Sequence, residues 1–341
     1  MALDENFFIK AWYKGNPVYY LLIPLTWFFC LVSFIRRKLY AWGLLPKFRS
    51  KVPVIIVGNI TVGGTGKTPL IIALANKLGE MGYKPGIISR GFGGKSPVWP
   101  LSVTAKSNPI IVGDEPVMIA RQVNCPVVVG PDRGDDCEAL LHRYPDCNVI
   151  LSDDGLQHYA LERDIEIAVI DGRRCMGNKY CLPAGPLREP KKRLKQVDEV
   201  VVNGGDYQDA TRMEFIYTEL YDIDEHERTA KLSDFKGQKV HAVAAIGNPD
   251  VFFASLREAG LEVIEHVFDD HYDLEESDVK FAEDYPIIVT EKDAVKLELY
   301  HPHDIWVLPV KVAIDDEFYQ RIFYKLQELI PESRPAAQNL K

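Results

Sequence analysis

A glycine-rich segment that ends in a lysine and a threonine is the first place where residue types and spacing could do chemistry. It consists of Thr61, Val62, Gly63, Gly64, Thr65, Gly66, Lys67 and Thr68. The pattern is close to G-x-x-x-x-G-K-[ST], in which backbone N–H groups surround phosphate oxygens, the lysine reaches the terminal phosphates and the last hydroxyl binds Mg²⁺. Thr61 stands where the pattern has its first glycine. The segment predicts a site for ATP with Mg²⁺.

The flanking residues support this interpretation. Residues 53–57 are a short apolar run rich in β-branched side chains, and residues 67–81 have the apolar spacing of a helix. A phosphate loop needs this order, because the positive end of the helix dipole then faces the phosphates. A glycine-rich turn that precedes a lysine by chance is the alternative, and the context disfavours it.

Two adjacent carboxylates, Asp153 and Asp154, follow the apolar run 149–152. Beside a phosphate loop, acids at the end of a strand are typical of a Mg²⁺ site, although an aspartate there is also an ordinary helix cap. We favour metal binding for at least one of the two. Gln157 and His158 follow by one helical turn and could share the same cleft.

Other candidates depend more on context. Asp114 and Glu115 lie in a short turn, where a carboxylate could accept the proton of an attacking hydroxyl or merely stabilise the turn. His271 could face a cleft between domains, but a loop histidine with a local partner is the commoner case. Three arginines in Gly- or Pro-rich loops could bind phosphate or lie at the surface: Arg90, Arg133 and Arg188.

Short apolar strands alternate with helical stretches, which predicts an α/β fold with a doubly wound, mostly parallel sheet of the P-loop NTPase type. A second, smaller α/β domain and an N-terminal membrane helix complete the expected architecture. The predicted division is 1–51 (membrane helix and basic flank), 52–203 (P-loop kinase core), 204–227 (connecting region), 228–331 (smaller domain) and 332–341 (polar tail).

Charge is unevenly distributed along the chain. The 341 residues carry a net charge of -9, yet between Asn6 and Gly79 every charged residue is a lysine or an arginine. An acidic protein with one basic region argues against nucleic-acid binding and suits a membrane surface. The six cysteines include no C-x-x-C pair and are expected to be free thiols in a reducing cytosol.

Residues 15–35 contain no charge, and the apolar run 18–35 is close to the length that crosses a bilayer. Arg36, Arg37 and Lys38 follow it and would keep the bulk of the chain on the cytoplasmic side. A signal peptide would be shorter and would end in small residues. A buried core helix is a further alternative. An interfacial helix is the main one, because Pro24, Thr26 and Ser33 weaken the run.

Eight strings occur in order between residues 57 and 296: VGNITVGGTGKTP, ISRGFGG, GDEP, LSDDGLQH, PAGPLREP, GNPDVFF, FDDHY and TEKDAVK. Together with the N-terminal helix they resemble the tetraacyldisaccharide 4'-kinases, the lipid A kinases of Gram-negative bacteria. The resemblance implies transfer of the ATP γ-phosphate to the 4'-hydroxyl of an acylated glucosamine disaccharide 1-phosphate at the inner membrane, giving lipid IVA. Membrane lipids would be the other partners.

The resemblance also implies roles for individual residues. Asp114 would be the catalytic acidic residue and His271 its partner, brought together when the second domain closes. Asp153 and Asp154 would accompany Mg²⁺. The residues around nucleotide and sugar would be Glu115, Arg133, Gln157, His158 and Arg188, to which Arg90 is added from its loop position. Phe92 departs from the tyrosine that the family often has there, so it is left outside the predicted site.

Two other classes remain to be distinguished. A membrane-associated switch ATPase or GTPase of the partitioning or targeting class also has a G-G-x-G-K-T loop, but Val62 stands where its signature lysine would be. A nucleotide-binding scaffold without catalysis would leave Asp114 and His271 without a role.

Overall fold

Buried, β-branched strands build two sheets that are flanked by helices. The computed structural model describes residues 12, 13, 15, 17–300 and 304–330, so the predicted polar tail lies outside it. The strands are β1 (Val54–Gly58), β2 (Pro85–Ser89), β3 (Leu101–Val103), β4 (Val127–Val129), β5 (Val149–Asp153), β6 (Ile165–Asp171), β7 (Glu199–Asn203), β8 (Thr211–Ile216), β9 (Glu219–Asp222), β10 (Thr229–Lys231), β11 (Lys239–Ala244), β12 (Glu262–Val267), β13 (Ile287–Thr290), β14 (Ile305–Leu308) and β15 (Lys311–Ile314).

The helices cover the faces of these sheets. They are α1 (Ile23–Ala41), α2 (Lys67–Glu80), α3 (Pro109–Val112), α4 (Asp114–Gln122), α5 (Arg133–Arg143), α6 (Pro249–Glu258), α7 (Glu291–Leu297) and α8 (Asp316–Leu329). Short 3-10 segments lie at Pro17–Leu22, Lys191–Gln196, Leu232–Phe235, Glu276–Val279 and Glu298–Tyr300.

The larger sheet has nine strands within the described residues, in the order β15-β8-β7-β6-β1-β5-β2-β4-β3. Its central strands are parallel, and only the outer pairs β3–β4 and β15–β8 are antiparallel. Helix α2 buries Leu70, Leu74 and Leu78 against this sheet, as their spacing predicts. The doubly wound, mostly parallel α/β fold is therefore confirmed. The carboxyl ends of β1 and β5 lie side by side, which is where such sheets bind ligands.

The smaller sheet has six strands in the described part of the chain, in the order β10-β9-β14-β13-β11-β12. Its strands β11 to β14 are parallel, and β9 and β10 add an antiparallel edge. Buried Phe252, Phe253 and Leu256 of α6 form its core with the strands. This is the predicted second α/β unit.

The chain crosses from one sheet to the other at positions that differ from the predicted domain boundaries. Residues 204–227 were expected to be a connection, yet they contain β8, which extends the larger sheet, and β9, which belongs to the smaller one. The apolar run 305–314 does not form a single strand, because Pro309 has no N–H to donate to a ladder. Strand β14 consequently stays in the smaller sheet and β15 joins the larger one.

The closing helix α8 follows β15 back to the larger sheet. Its predicted apolar face, with Phe318, Ile322 and Leu326, is buried in the core of that sheet. The expectation that 228–331 forms one continuous smaller domain is therefore not met. The last described segment, residues 311–330, packs with the kinase core instead.

The N-terminal segment forms a helix that is apolar and long enough to cross a membrane. The most apolar 18-residue window of Tyr19–Ala41 has a mean hydropathy of 1.6, and only 6% of it is buried. One stripe of α1 nevertheless rests on the kinase core. The Thr26 hydroxyl donates to the Cys181 carbonyl at 3.0 Å and accepts from the Ala184 N–H at 3.0 Å.

Candidate active site

The phosphate loop leaves β1 and enters α2 with glycine at each position that needs it. Gly63 and Gly66 have φ of 93° and 94°, a region that disfavours other residues. Gly66 precedes the first residue of α2, so the first-turn N–H groups face the space in front of the loop. Thr61 has no positive φ and pairs with Leu187 in an isolated bridge. The missing first glycine therefore creates no backbone strain.

Side chains around the loop hold its shape. The Asn59 amide donates to the Gly63 carbonyl and to the Thr65 hydroxyl, both at 3.3 Å. The Asn203 amide donates to the Thr65 carbonyl at 3.3 Å from the end of β7. The Gln157 amide donates to the Asn59 carbonyl at 2.9 Å, which links this predicted site residue to the loop.

The two acids at the end of β5 have different surroundings. Asp153 is 2% exposed; its Oδ2 accepts from the Ser89 hydroxyl at 3.2 Å and its Oδ1 has no partner. Burial, together with the charges of Glu115 and Asp154, raises the pKa of Asp153 to about 7. A buried carboxylate oxygen without a donor is suited to a cation.

Asp154, in contrast, is already paired with two cationic side chains. Lys67 Nζ lies 3.6 Å from its Oδ1 and Arg188 Nη1 lies 3.0 Å from its Oδ2. Burial raises the pKa of Asp154, but Lys67 and Arg188 outweigh it, so the pKa lies below its ordinary value. Of the two acids, Asp153 has a buried carboxylate oxygen without a partner, so it stays the predicted Mg²⁺ ligand, together with Thr68 in the first turn of α2.

The second group of acidic and basic side chains lies where the two sheets meet. Asp114, the first residue of α4, directs Oδ2 to His271 Nδ1 at 3.4 Å and to Lys296 Nζ at 3.2 Å. Burial raises the pKa of Asp114, but the His271 hydrogen bond and the charges of Lys292 and Lys296 outweigh it and hold the pKa below its usual range. Asp114 is therefore ionised at neutral pH.

His271 separates Asp114 from solvent. The histidine side chain is 25% exposed and lines the cleft between the sheets, whereas that of Asp114 is 6% exposed and lies behind it. The Phe92 ring, left outside the predicted site, packs on the imidazole with centroids 4.7 Å apart. The structure thus brings the two predicted catalytic residues together and adds an aromatic neighbour.

The cleft has a volume of about 1540 Å³ and collects most of the predicted residues. Those that line it are Val62, Gly63, Gly64, Thr65, Gly66, Lys67, Thr68, Arg90, Glu115, Arg133, Asp153, Asp154, Gln157, His158, Arg188 and His271. Thr61 and Asp114 lie behind the lining. Phe29, Ser33 and Arg36 of α1 form one wall, so the N-terminal helix borders the same space as the phosphate loop.

Of the predicted substrate residues, Arg133 is hydrogen-bonded to other groups of the protein and His158 has a lowered pKa. Arg133 is buried and donates to the Asp153 carbonyl at 2.9 Å, to the Gly130 carbonyl at 3.2 Å and to Asp136 Oδ2 at 3.3 Å. These bonds hold the end of β5. Burial, with the nearby Arg133 charge, lowers the pKa of His158 to about 4, so its imidazole is neutral at pH 7. Contact of either residue with substrate stays a prediction.

Sequence reasoning missed two lysines on α7. Lys292 Nζ lies 3.3 Å from Glu115 Oε1, 3.0 Å from Asp270 Oδ1 and 3.2 Å from His271 Nε2. Lys296 follows one turn later and reaches Asp114. Their i, i+4 spacing in TEKDAVK was the available signal, since it places both on one face of a helix.

A further contact between the sheets had no signal in the sequence. Arg174, beyond the end of β6, donates to the Gly247 carbonyl at 3.0 Å and to Asn248 Oδ1 at 2.6 Å. Asn248 in turn donates to Asp171 Oδ2 at 3.0 Å. A Cβ on Gly247 would lie 3.1 Å from the Gly64 backbone nitrogen. The start of α6 therefore reaches the phosphate loop itself.

This arrangement is that of a nucleotide-dependent phosphotransferase of the P-loop class, because a loop for phosphates and a paired acid and imidazole border the same cleft. The family model described as "Tetraacyldisaccharide-1-P 4'-kinase" matches residues 18–327. The chain belongs to this family.

Individual relatives support this family membership. The chain is 46% identical over 331 residues to the tetraacyldisaccharide 4'-kinase of Nitrosococcus oceani, with 96% of each chain covered. It is 45% identical to that of Methylobacillus flagellatus, covering 94% of this chain and 96% of the relative. A crystal structure of LpxK from Aquifex aeolicus in complex with ATP superposes with a TM-score of 0.75 at 28% identity, covering 91% of this chain and 99% of the other.

Proposed function

We propose that this chain transfers the γ-phosphate of ATP to the 4'-hydroxyl of tetraacyldisaccharide 1-phosphate and so forms lipid IVA in lipid A biosynthesis. One observation carries the proposal: in a chain of this family, His271, backed by Asp114, faces the same cleft as the phosphate loop. A phosphate loop alone would serve any nucleoside triphosphatase. The acid and imidazole add the proton acceptor that transfer to a hydroxyl requires.

The loop binds the triphosphate. Backbone N–H groups of Gly63 to Gly66 and the first turn of α2 supply donors and the positive end of a helix dipole. Lys67 neutralises charge on the terminal phosphates and exchanges Asp154, its partner at 3.6 Å, for them. Arg188 stays beside Asp154 and keeps that carboxylate paired when the lysine turns to the nucleotide.

Mg²⁺ fits beside the loop, because Asp153 Oδ1 is buried without a donor and Thr68 supplies a hydroxyl at the loop's end. These two residues would hold the ion, which when bound would neutralise charge on the phosphate oxygens. Burial is the main reason that the pKa of Asp153 is raised to about 7. A cation bound beside this carboxylate would stabilise its ionised form and so lower the pKa.

The acceptor hydroxyl is oriented by the opposite wall. Asp114 is ionised and holds His271, whose imidazole is the member of the pair that reaches the cleft. Arg90, Gln157 and His158 line the same cleft and are the residues that we propose to contact the sugar and its phosphate. The contacts between α4 and α7 close the cleft and exclude water from the reaction.

We further propose that α1 lies in the membrane interface on the cytoplasmic side of the inner membrane rather than crossing it. Thr26 is bonded to the kinase core, and Arg37 Nη1 donates to Gln196 Oε1 at 3.2 Å. The helix is thus attached over roughly 16 Å of its axis at about 1.5 Å per residue. A helix held against a polar domain over that length cannot be surrounded by lipid there.

The free side of α1 is apolar. Leu25, Trp27, Phe28 and Leu31 are all more than half exposed, and so is Leu21 in the 3-10 segment that precedes the helix. Buried in one leaflet, they would hold the cleft at the height of the lipid headgroups. Extraction of membranes with alkaline carbonate tests this: an interfacial helix is released into the supernatant, and a spanning helix stays in the pellet.

The transfer assay tests the proposed reaction. Purified protein is incubated in detergent micelles with ATP, Mg²⁺ and acylated disaccharide 1-phosphate, and the bis-phosphorylated lipid is quantified. Asp114→Asn should reduce transfer by about 10²-fold or more with ATP binding retained, since the carboxylate orients the imidazole base and stabilises the imidazolium that forms. Asp146→Asn is the matched control, because its side chain is 80% exposed and pairs with Lys84.

Normal transfer by Asp114→Asn would contradict the role of Asp114. ATP hydrolysis by the wild type without a lipid product would favour a switch ATPase instead.

A further inference from the structure

The two ring nitrogens of His271 have different nearest neighbours, a carboxylate and an ammonium group. Nδ1 lies 3.4 Å from Asp114 Oδ2, whereas Nε2 lies 3.2 Å from Lys292 Nζ and 3.8 Å from Asp270 Oδ1. An ammonium group has three N–H donors and no lone pair, so it can only donate to Nε2. A neutral imidazole donates from one nitrogen and accepts at the other. The ring proton of His271 is therefore on Nδ1, and its lone pair is on Nε2.

Lys292 is not a mobile surface side chain. Its side chain is 11% exposed, and Asp270 Oδ1 and Glu115 Oε1 lie 3.0 and 3.3 Å from Nζ. Burial lowers the pKa of Lys292, but the charges of Glu115, Asp114 and Asp270 outweigh it and raise the pKa, so the ammonium form persists. One carboxylate comes from each side of the cleft, and together they fix the ammonium beside the imidazole.

The charged groups that face the pair come from three elements. Helix α4 supplies Asp114 and Glu115, the loop after β12 supplies Asp270, and α7 supplies Lys292 and Lys296. Asp293, also on α7, faces away and accepts from the Thr290 hydroxyl at 2.6 Å and the Ala245 N–H at 3.1 Å. Lys296 contacts Asp114 and the Tyr272 carbonyl, not the imidazole. In the described part of the chain, Lys292 is the cation that contacts Nε2, and Asp270 is the carboxylate nearest to it, at 3.8 Å.

We propose that Lys292 is a positioning residue of the phosphate transfer: it assigns the proton of His271 to Nδ1 and keeps the lone pair on Nε2. The inference rests on the proposed function, since it concerns the same transfer. The acceptor hydroxyl takes the place of the ammonium at the Nε2 lone pair. Lys292 meanwhile keeps its contacts with Glu115 and Asp270.

The proton transfer balances with this assignment. The hydroxyl O–H bond breaks and its proton forms the Nε2–H bond, while the electron pair stays on oxygen. That oxygen bonds to the γ-phosphorus, and ADP departs with the electron pair of the bond that breaks. Asp114, on the Nδ1 side, stabilises the imidazolium that results, as an acid does behind a catalytic histidine.

The tautomer is measured on the protein itself, without lipid. In ¹⁵N-histidine-labelled protein in detergent, long-range ¹H–¹⁵N correlation at pH 8 should show a protonated-type Nδ1 and a lone-pair-type Nε2 for His271, assigned with His271→Gln. A protonated-type Nε2 would overturn the inference. If the wild type shows this tautomer but transfers no phosphate, the proposed function fails and the tautomer assignment stands.

The role of Lys292 is tested on the same spectra. In Lys292→Met the pure donor beside Nε2 is lost, so a protonated-type Nε2 should appear for His271 in part of the protein. Lys292→Arg, also a pure donor, should keep the wild-type tautomer even where kcat falls. Lys280→Met is the control, since Lys280 is exposed and pairs with Glu276. An unchanged tautomer in a folded Lys292→Met protein refutes the role.

Discussion

Asp153→Asn should stabilise the metal-free protein while it abolishes phosphate transfer. The buried Asp153 carboxylate has a pKa raised from 3.8 to about 7, chiefly by burial. At about 1.4 kcal/mol per pH unit, its ionisation costs the folded state about 4 kcal/mol at pH 8. The asparagine amide leaves one donor without an acceptor, which costs about 1–2 kcal/mol. The expected net gain in the free energy of unfolding is about 2–3 kcal/mol.

The sign of the pH dependence follows from the raised pKa. Below about pH 4 the carboxyl is protonated in both folded and unfolded chains and costs nothing. The penalty grows as the pH rises from about 4 to about 7 and is constant above. Urea unfolding in EDTA should therefore show a larger gain for Asp153→Asn at pH 8 than at pH 5. An equal gain at both pH values, or none at pH 8, would refute the reasoning.

Mg²⁺ should reverse this difference. The wild type should gain more stability from ATP with Mg²⁺ than from ATP in EDTA, because only the complete site binds the ion and binding to the folded state stabilises it. Asp153→Asn should show little additional gain from the metal. Asp146→Asn, an exposed acid, should behave as the wild type in every arm.

Three further substitutions have defined outcomes. In Gly247→Ala the new Cβ would lie 2.9 Å from Asp270 Oδ2 and 3.1 Å from the Gly64 nitrogen, so kcat/KM for ATP should fall by about tenfold for a loss of ~1.4 kcal/mol; an unchanged value would contradict this approach to the loop. Thr61→Gly restores the usual glycine where none is needed, so ATP affinity should stay constant while stability falls by about 0.5–1 kcal/mol; tighter ATP binding would contradict it. Thr26→Val removes a hydroxyl with two backbone partners and should cost about 1–3 kcal/mol in urea unfolding, while vesicle binding is retained; loss of vesicle binding in a folded variant would contradict the separation of the two faces of α1.

Local patterns predicted the loop and its strand and helix. Residues 61–68 are contiguous, and the glycines at 63 and 66 fall where the backbone turns left-handed. The acidic pair was equally visible, but the difference between Asp153 and Asp154 was not. It depends on Ser89, Lys67 and Arg188, which arrive from other segments.

The features that the sequence did not predict depend on contacts between distant segments of the chain. Lys292 and Lys296 look like surface lysines of a short helix until α7 packs on α4 and they meet buried acids. The break at Pro309 was visible as a residue, but the transfer of β15 to the other sheet depends on long-range pairing with β8. The pairing of Asp114 with His271 was supplied by resemblance, since their separation in sequence carries no periodic signal.

The position of the phosphate on the lipid product tests the account most directly. The wild-type reaction with ATP, Mg²⁺ and acylated disaccharide 1-phosphate is followed by ³¹P–¹H correlation of the purified lipid. We expect one new phosphomonoester coupled to the proton at the 4' carbon, with the 1-phosphate unchanged. A new phosphate at any other carbon, or release of inorganic phosphate with no phosphorylated lipid, would contradict the proposed reaction.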